Sequence, residues 1–242
     1  MKRFISSIAL ALGLLVGSGF AMASEGGALP SAGTNLGDQA SLQRGARLFF
    51  NYCVGCHSLK FQRYSRIAED LGLSEQDVMQ NFNFTGAKFG EPVVSHMPQG
   101  PAAQWFGKAP PDLSLVVRAK TADWVYAYLN SFYVDPSRPV GWNNTVFPNA
   151  SMPFPLWELQ GVQTAVTKPG SEEVEKLELS KPGTLTPEQY HQAARDLTNF
   201  LEYVSEPAAL QRHKYGIWVL LFLAGFTLLA YMLKKEYWKD VH

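Results

Sequence analysis

The sequence is poor in cysteine and carries no excess of charge of either sign. Its 242 residues contain only two cysteines, Cys53 and Cys56, and 21 basic residues balance 21 acidic residues. A structural zinc site usually takes four Cys or His ligands, and the histidines beyond position 57 are scattered without the paired spacing of such a site. The chain also has no internal repeat or low-complexity run. These absences argue against a zinc site and a repeat architecture.

The two cysteines lie in the segment NYCVGCHSLK, with His57 directly behind Cys56. A redox dithiol of the thioredoxin type would follow a hydrophobic strand, and none precedes this segment. The pattern C-x-x-C-H is instead typical of covalent haem attachment, in which two thioethers hold the porphyrin and the adjacent histidine binds the iron. We therefore expect Cys53 and Cys56 to carry haem c and His57 to be the proximal ligand. Its second ring nitrogen should donate to a backbone carbonyl, which fixes the ring.

Haem attachment of this kind takes place outside the bacterial cytoplasm, so the chain needs an export signal. Lys2 and Arg3 open the sequence, an apolar run follows, and an A-x-A cleavage site ends at Ala23. A first membrane helix is the alternative, but the apolar run is short and interrupted by glycines. We expect residues 1–23 to be a signal peptide that is removed from the mature protein.

A second apolar segment lies near the C-terminus. Residues 215–233 carry no charge, and as a helix they would be about 28 Å long, enough to span a bilayer. Aromatic residues lie near both ends, and Lys234 and Lys235 follow. We predict a single-pass anchor in the bacterial inner membrane, with the head in the periplasm and residues 234–242 in the cytoplasm.

The head, residues 24–211, has 14 basic and 19 acidic residues, a net charge of −5. This balance argues against nucleic-acid binding through bulk electrostatics, and it favours attraction of a basic protein partner at low salt. A modest negative charge also keeps a domain soluble, which is the alternative. Acidic residues between 172 and 178 form either a docking patch or a solvated edge.

The length of the head suffices for one domain, and hydrophobic periodicity predicts helices in several places. Helices are expected over 38–57, 121–133 and 186–206, the last with a capping box of Thr186 and Gln189. Residues 165–185 alternate like a β hairpin. The long Pro-, Gly- and Asn-rich connections 83–120 and 134–160 are expected to be irregular and to wrap around the haem. Their aromatic residues either cover the haem faces or fill the protein core, and they are Trp105, Phe106, Trp142, Phe147, Phe154 and Trp157.

The iron needs a sixth ligand or an open position. Met79 lies on a short helix predicted to begin at Ser74, which favours a place in the core. Met97 and Met152 each precede a proline, so either sulfur could be presented by a rigid loop. Because the chain is much longer than a small cytochrome, the larger separation of Met152 from His57 favours Met152.

The order of motifs resembles the cytochrome c1 family, the haem-bearing subunits of the cytochrome bc1 complex (ubiquinol–cytochrome c reductase). The matching segments are CVGCH, WFGKAPPDLSLVVRAK and NASMPFPLW, followed by a helix and a C-terminal anchor that ends in lysines. The resemblance implies a mainly α, enlarged class I cytochrome c fold with one haem attached through Cys53 and Cys56. It also implies ligation by His57 and Met152, and Arg118 near a haem propionate. A further cysteine pair of some bacterial members is absent, which rules out a disulfide staple.

The same resemblance implies a one-electron carrier without substrate turnover of its own. Electrons would pass from a Rieske iron–sulfur protein through the haem to a cytochrome c, in a dimeric complex that includes cytochrome b. Ligation by histidine and methionine raises the reduction potential of a haem, which suits that direction. Two alternatives are a membrane-anchored monohaem cytochrome that feeds a terminal oxidase without a bc1 complex, and a haem sensor with an open sixth position.

Overall fold

The structure is a computed structural model that describes residues 29–171 and 173–240, with the side chains of residues 213 and 214 excepted. The predicted signal peptide, residues 1–23, lies outside the described residues. Helices account for most of the regular structure in the described part. In chain order they are α1 (Gln39–Tyr52), α2 (Tyr64–Leu71), α3 (Glu75–Asn81), α4 (Gln99–Phe106), α5 (Val116–Lys120), α6 (Ala122–Asn130), α7 (Trp157–Gln160), α8 (Pro187–Ser205) and α9 (Ala209–Tyr237).

Six short strands form three separate antiparallel pairs among the described residues. They are β1 (Leu59–Arg63) with β2 (Pro92–Val93), β3 (Phe132–Val134) with β4 (Trp142–Asn144), and β5 (Gly161–Thr167) with β6 (Val174–Pro182). The expectation of a mainly α head with a small hairpin is therefore confirmed.

Helices α1 and α8 pack against each other and form the centre of the core. Asp38 caps α1 by accepting a hydrogen bond from the backbone N–H of Ser41, and Thr186 and Gln189 form the predicted capping box on α8. The two helices approach closely at Gly45, where a Cβ atom would lie 2.0 Å from the carbonyl oxygen of Asp196. Glycine is therefore required at this contact.

A buried carboxylate ties the same two helices together. Asp196 of α8 is 2% exposed, and its oxygens accept hydrogen bonds from the Arg44 guanidinium at 2.6 and 2.9 Å and from the Ser41 hydroxyl at 2.7 Å. Gln192 donates to it as well. A buried charge is tolerated when it is paired and fully hydrogen-bonded, and Asp196 meets that condition.

Helix α6 differs from the sequence prediction at its C-terminal end. Thr121 caps the helix as expected, but α6 stops at Asn130 and not at residue 133. Phe132 begins β3, where its ring is fully buried and stacks against Phe154 with ring centroids 4.7 Å apart. Burial of an aromatic residue in a strand pair has overridden the helical periodicity here.

Two further expectations about irregular and hairpin regions need correction. The connections 83–120 and 134–160 are not wholly irregular, because they contain α4, α5, α7 and short strands. The hairpin begins at Gly161, four residues earlier than expected, and continues to Pro182. Leu179 is 43% exposed, so the apolar alternation of β6 does not mark a buried face.

Helix α9 leaves the head and carries the apolar C-terminal segment. Residues Tyr215–Tyr237 have a mean hydropathy of 2.2 and none of this stretch is buried by the rest of the described chain. Ala209 and Leu210, at the start of the same helix, pack against the core. The first residues of the helix thus pack against the head, and the helix continues as an exposed apolar segment long enough to span a membrane.

Candidate functional site

The C-x-x-C-H motif forms a tight turn directly after α1. Cys53 caps the helix by donating its N–H to the Phe49 carbonyl, and the N–H groups of Cys56 and His57 both donate to the Cys53 carbonyl at 3.0 and 2.8 Å. The two sulfurs and the imidazole are thereby carried by a single turn. Neither cysteine forms a disulfide, and Cys53 is buried while Cys56 is half-buried.

The setting of the cysteines favours uncharged sulfur. Burial raises the pKa of Cys53 to about 12 and also raises that of Cys56. A metal-binding thiolate needs the opposite, a lowered pKa in an electropositive setting. The residues that the structure describes also contain no group of three or more His, Cys, Asp or Glu side chains arranged to hold a metal ion. A thioether carries no charge, so this apolar turn fits covalent haem attachment better than zinc or redox thiol chemistry.

His57 is held in one orientation by a backbone carbonyl. Its Nδ1 lies 2.7 Å from the carbonyl oxygen of Pro111, and the side chain is buried. Burial lowers the pKa of His57, so the ring is neutral and its Nδ1–H donates to Pro111. The lone pair of Nε2 is then left for a metal, which is the arrangement expected of a proximal ligand.

Met152 lies in the connection between β4 and α7, half-buried against the core that also contains Cys53. Its sulfur is 3.6 Å from the hydroxyl of Tyr128 on α6. Burial raises the pKa of Tyr128 to about 12, so its hydroxyl is protonated and donates. A thioether sulfur has two lone pairs, and this contact uses one of them.

The other two methionines have different surroundings. Met79 lies on α3, which Ser74 caps as predicted, and it packs against the core while its sulfur contacts the side-chain amide of Asn83 at 3.9 Å. Met97 is half-buried in the loop before α4. The nearby Ser95 ties that loop to the motif turn, because its hydroxyl donates to the Gly55 carbonyl at 2.8 Å.

Arg118 lies on α5 with an exposed side chain and has no carboxylate partner among the described residues. The six aromatic residues named for the two connections differ in exposure, and Phe106 and Trp142 are half-buried. Phe154 is buried in the core, whereas Trp105, Phe147 and Trp157 are 61%, 50% and 46% exposed. The exposed group leaves apolar ring surface available to a large apolar group.

Some residues at the site were not singled out by the sequence. They are Tyr128, Asp112 and Ser114, of which the last two lie in the matching segment WFGKAPPDLSLVVRAK. The two prolines before Asp112 were a sequence signal for this segment. A proline has no N–H, and its carbonyl stays free to accept from other donors. The sequence did not indicate that Pro111 is the residue that meets His57.

A mainly α head with a C-x-x-C-H turn, an oriented neutral histidine and an apolar C-terminal helix defines a membrane-anchored c-type cytochrome. Comparison with known proteins makes the class specific, since the sequence model of the Cytochrome C1 family matches residues 33–241. Cytochrome c1 of Allochromatium vinosum is 50% identical over 239 residues, which cover 96% of this chain and 98% of that protein.

Two further relatives have other names. The ammonia monooxygenase gamma subunit of Nitrosomonas europaea is 45% identical over 214 residues, 88% of this chain and 89% of that protein. Cytochrome b/c1 of Bradyrhizobium diazoefficiens is 27% identical over 251 residues, 85% of this chain but 34% of that longer protein. The chain belongs to the cytochrome c1 family, the haem c-carrying, membrane-anchored electron-transfer subunits of cytochrome bc1 complexes.

Proposed function

We propose that Cys53 and Cys56 hold a single haem c through two thioethers, that His57 binds the iron through Nε2, and that Met152 is the sixth ligand. The observation that carries this proposal is the 2.7 Å hydrogen bond from His57 Nδ1 to the Pro111 carbonyl, on the same turn that carries the sulfurs of Cys53 and Cys56. Met152 is preferred to Met97 because its sulfur lies in the same core as Cys53 and is oriented by Tyr128.

The residues of this chain would set the properties of the site. When bound, haem c supplies a one-electron couple at its iron. Burial of His57 keeps its ring neutral, and a thioether ligand at Met152 favours the reduced metal over the oxidised one. Arg118, exposed and without an ion-pair partner among the described residues, is the cation we assign to a haem propionate.

We propose that the chain accepts single electrons from a Rieske iron–sulfur protein and passes them to a cytochrome c, within a dimeric bc1 complex that contains cytochrome b. The name cytochrome b/c1 of the Bradyrhizobium relative supports the association with cytochrome b. The net charge of −5 on residues 24–211 supports a basic acceptor.

We further propose a location in the bacterial inner membrane, with a cleaved signal peptide at residues 1–23, a periplasmic head and a cytoplasmic tail at 234–242. Lys2, Arg3 and the A-x-A site support export of the head. Lys234 and Lys235 at the end of α9 support a cytoplasmic end of the anchor.

Haem staining of a denaturing gel tests the attachment directly. The wild-type chain should keep its haem after denaturation, Cys53→Ala and Cys56→Ala should each leave one thioether, and the double variant should lose the stain. A wild-type band without stain would overturn the proposal.

Purification in a mild detergent tests the assignment to a complex. The chain should copurify with a b-type haem and an iron–sulfur protein, whereas an independent carrier that feeds an oxidase would purify without them. Carbon monoxide added to the reduced protein should leave its spectrum unchanged, because a bound Met152 leaves no open position. A spectral shift would indicate a haem sensor.

A further inference from the structure

The Pro111 carbonyl, which orients His57, belongs to a segment that lacks backbone N–H donors at two successive residues. Pro110 and Pro111 have no N–H groups, so neither can fix the segment by donating a hydrogen bond. The proline ring fixes φ of Pro111, and the direction of its carbonyl then depends on ψ, which is determined by where Asp112 lies. The position of the residue after Pro111 therefore controls the hydrogen bond to His57.

Asp112 is held on two sides by its carboxylate. One oxygen accepts from the backbone N–H of Lys60 at 2.9 Å, across the gap to β1, and the other accepts from the N–H of Ser114 at 2.9 Å. The first bond joins the segment to the chain just after the C-x-x-C-H motif. The second closes a turn within the segment itself.

Two more hydrogen bonds join the same two stretches. The N–H of Leu113 donates to the Ser58 carbonyl at 2.9 Å, and the hydroxyl of the fully buried Ser114 accepts from the N–H of Phe61 at 3.1 Å. We call the three bonds between residues 58–61 and 112–114 the loop contact. Ser58 directly follows His57, so the loop contact holds the histidine and its carbonyl partner in one unit.

The charge of Asp112 also acts on His57. Asp112 directly follows Pro111, whose carbonyl oxygen lies 2.7 Å from Nδ1 of His57, so its negative charge lies close to the imidazole. A carboxylate that stabilises positive charge on the imidazole also stabilises the more positive, oxidised state of a metal bound to it. Geometry and charge at this position therefore have the same sign of effect on the reduction potential.

We propose that Asp112 is a positioning residue: through the loop contact its carboxylate holds the Pro111 carbonyl against Nδ1 of His57, and this lowers the reduction potential of the haem. The inference rests on the proposed ligation by His57. The carboxylate of Asp112 accepts from Lys60 and Ser114 and not from the imidazole, so its effect on the orientation of His57 passes through Pro111.

The experiment uses the holoprotein in detergent and measures two quantities. Proton NMR follows the exchange of the His57 Nδ1 hydrogen with deuterium, and redox titration gives the potential. Asp112→Ala removes both hydrogen bonds and the charge, so exchange should become about tenfold faster, given the usual worth of a hydrogen bond, and the potential should rise. Asp112→Asn keeps one acceptor and should give a smaller change in both quantities.

Two further variants separate geometry from charge. Ser114→Ala breaks one bond of the loop contact without changing any charge, so it should also accelerate exchange and raise the potential. Lys60→Gln removes a neighbouring positive charge but keeps the backbone N–H that donates to Asp112, so exchange should stay at the wild-type rate and the potential should fall.

The outcomes distinguish this inference from the proposed function. A wild-type protein without a haem-shifted His57 signal would overturn the ligation itself. A wild-type signal with unchanged exchange and potential in Asp112→Asn and Ser114→Ala would overturn only the role of Asp112. If Asp112→Ala does not accumulate with haem, those two milder variants decide.

Discussion

At the scale of single residues, the site depends on a few polar contacts to groups that are otherwise buried. His57 has one ring nitrogen on the Pro111 carbonyl, and Met152 has one lone pair on the Tyr128 hydroxyl. Each contact leaves one lone pair free for a metal, on Nε2 of His57 and on the sulfur of Met152. A side chain that a hydrogen bond already holds in one orientation needs little reorganisation to bind a metal.

Replacement of Met152 by leucine should remove the sixth ligand while it keeps the volume of the side chain. We expect loss of the absorption band near the red end of the oxidised spectrum that a sulfur–iron bond produces, together with a lower reduction potential. Optical spectroscopy and redox titration of the purified protein measure both.

The matched control for this substitution is Met97→Leu, which should leave the band and the potential at their wild-type values. The reverse pattern, with the band lost only in Met97→Leu, would make Met97 the ligand.

The chemistry of these residues was predictable from the sequence to different degrees. The spacing of Cys53, Cys56 and His57 is a local pattern, so it predicts an attachment turn without knowledge of the fold. The partners of His57 and Met152 come from residues 54 and 24 positions away. Contacts at such separations are determined by tertiary packing, which the periodicity of a single sequence does not encode.

At the scale of elements, the position of the attachment turn depends on the packing of α1 against α8. The carbonyl of Asp196 occupies the space in which a side chain at position 45 would lie. Any residue larger than glycine there has to separate the two helices, and the C-x-x-C-H turn begins at Cys53, only eight residues after Gly45.

Gly45→Ala should therefore destabilise the head by about 1–3 kcal/mol, the usual cost of overpacking a core. Urea unfolding of the haem-containing protein, followed by the haem absorbance, measures the free energy of unfolding. The matched control is Gly100→Ala, because a Cβ atom at position 100 meets nothing within 4 Å. Equal stability of the two variants would show that α1 and α8 can separate at little cost.

The sequence was most informative for helices with explicit caps. Thr186, Gln189 and Pro187 predict the start of α8 because capping is a local interaction. It was less informative for α6, where Phe132 follows the helical spacing but lies in a strand. The pairing of β3 with β4 and the burial of that ring decide the outcome, and both involve distant residues.

At the scale of the whole molecule, charge and the anchor determine how the head meets other proteins. Electron transfer from the reduced protein to a basic cytochrome c should slow as ionic strength rises, because salt screens the attraction to a head of net charge −5. Stopped-flow measurements over a range of salt concentrations test this. A small neutral electron acceptor should show a flat response, and a flat response for the basic cytochrome as well would exclude electrostatic steering.

Truncation tests the role of α9 as the anchor. A chain that ends at Gln211 keeps Ala209 and Leu210, which pack against the core, and loses the exposed apolar stretch. Expressed without the other subunits of a bc1 complex, it should appear with its haem in the periplasmic fraction, whereas the full chain should stay in washed membranes. A truncated head that remains in the membrane fraction would point to a second attachment.

The junction between α8 and α9 has a mechanical consequence. Only Glu206, Pro207 and Ala208 separate the two helices, Arg212 pairs with Glu206 across the junction, and the lipid-compatible stretch begins six residues after Ala209, roughly 9 Å further along the helix. Such a short link leaves the head little freedom to move relative to α9, so we expect the head to stay close to the bilayer surface. We therefore expect its redox partners to move to the head, and the time that each of them needs to reach it contributes to the turnover time.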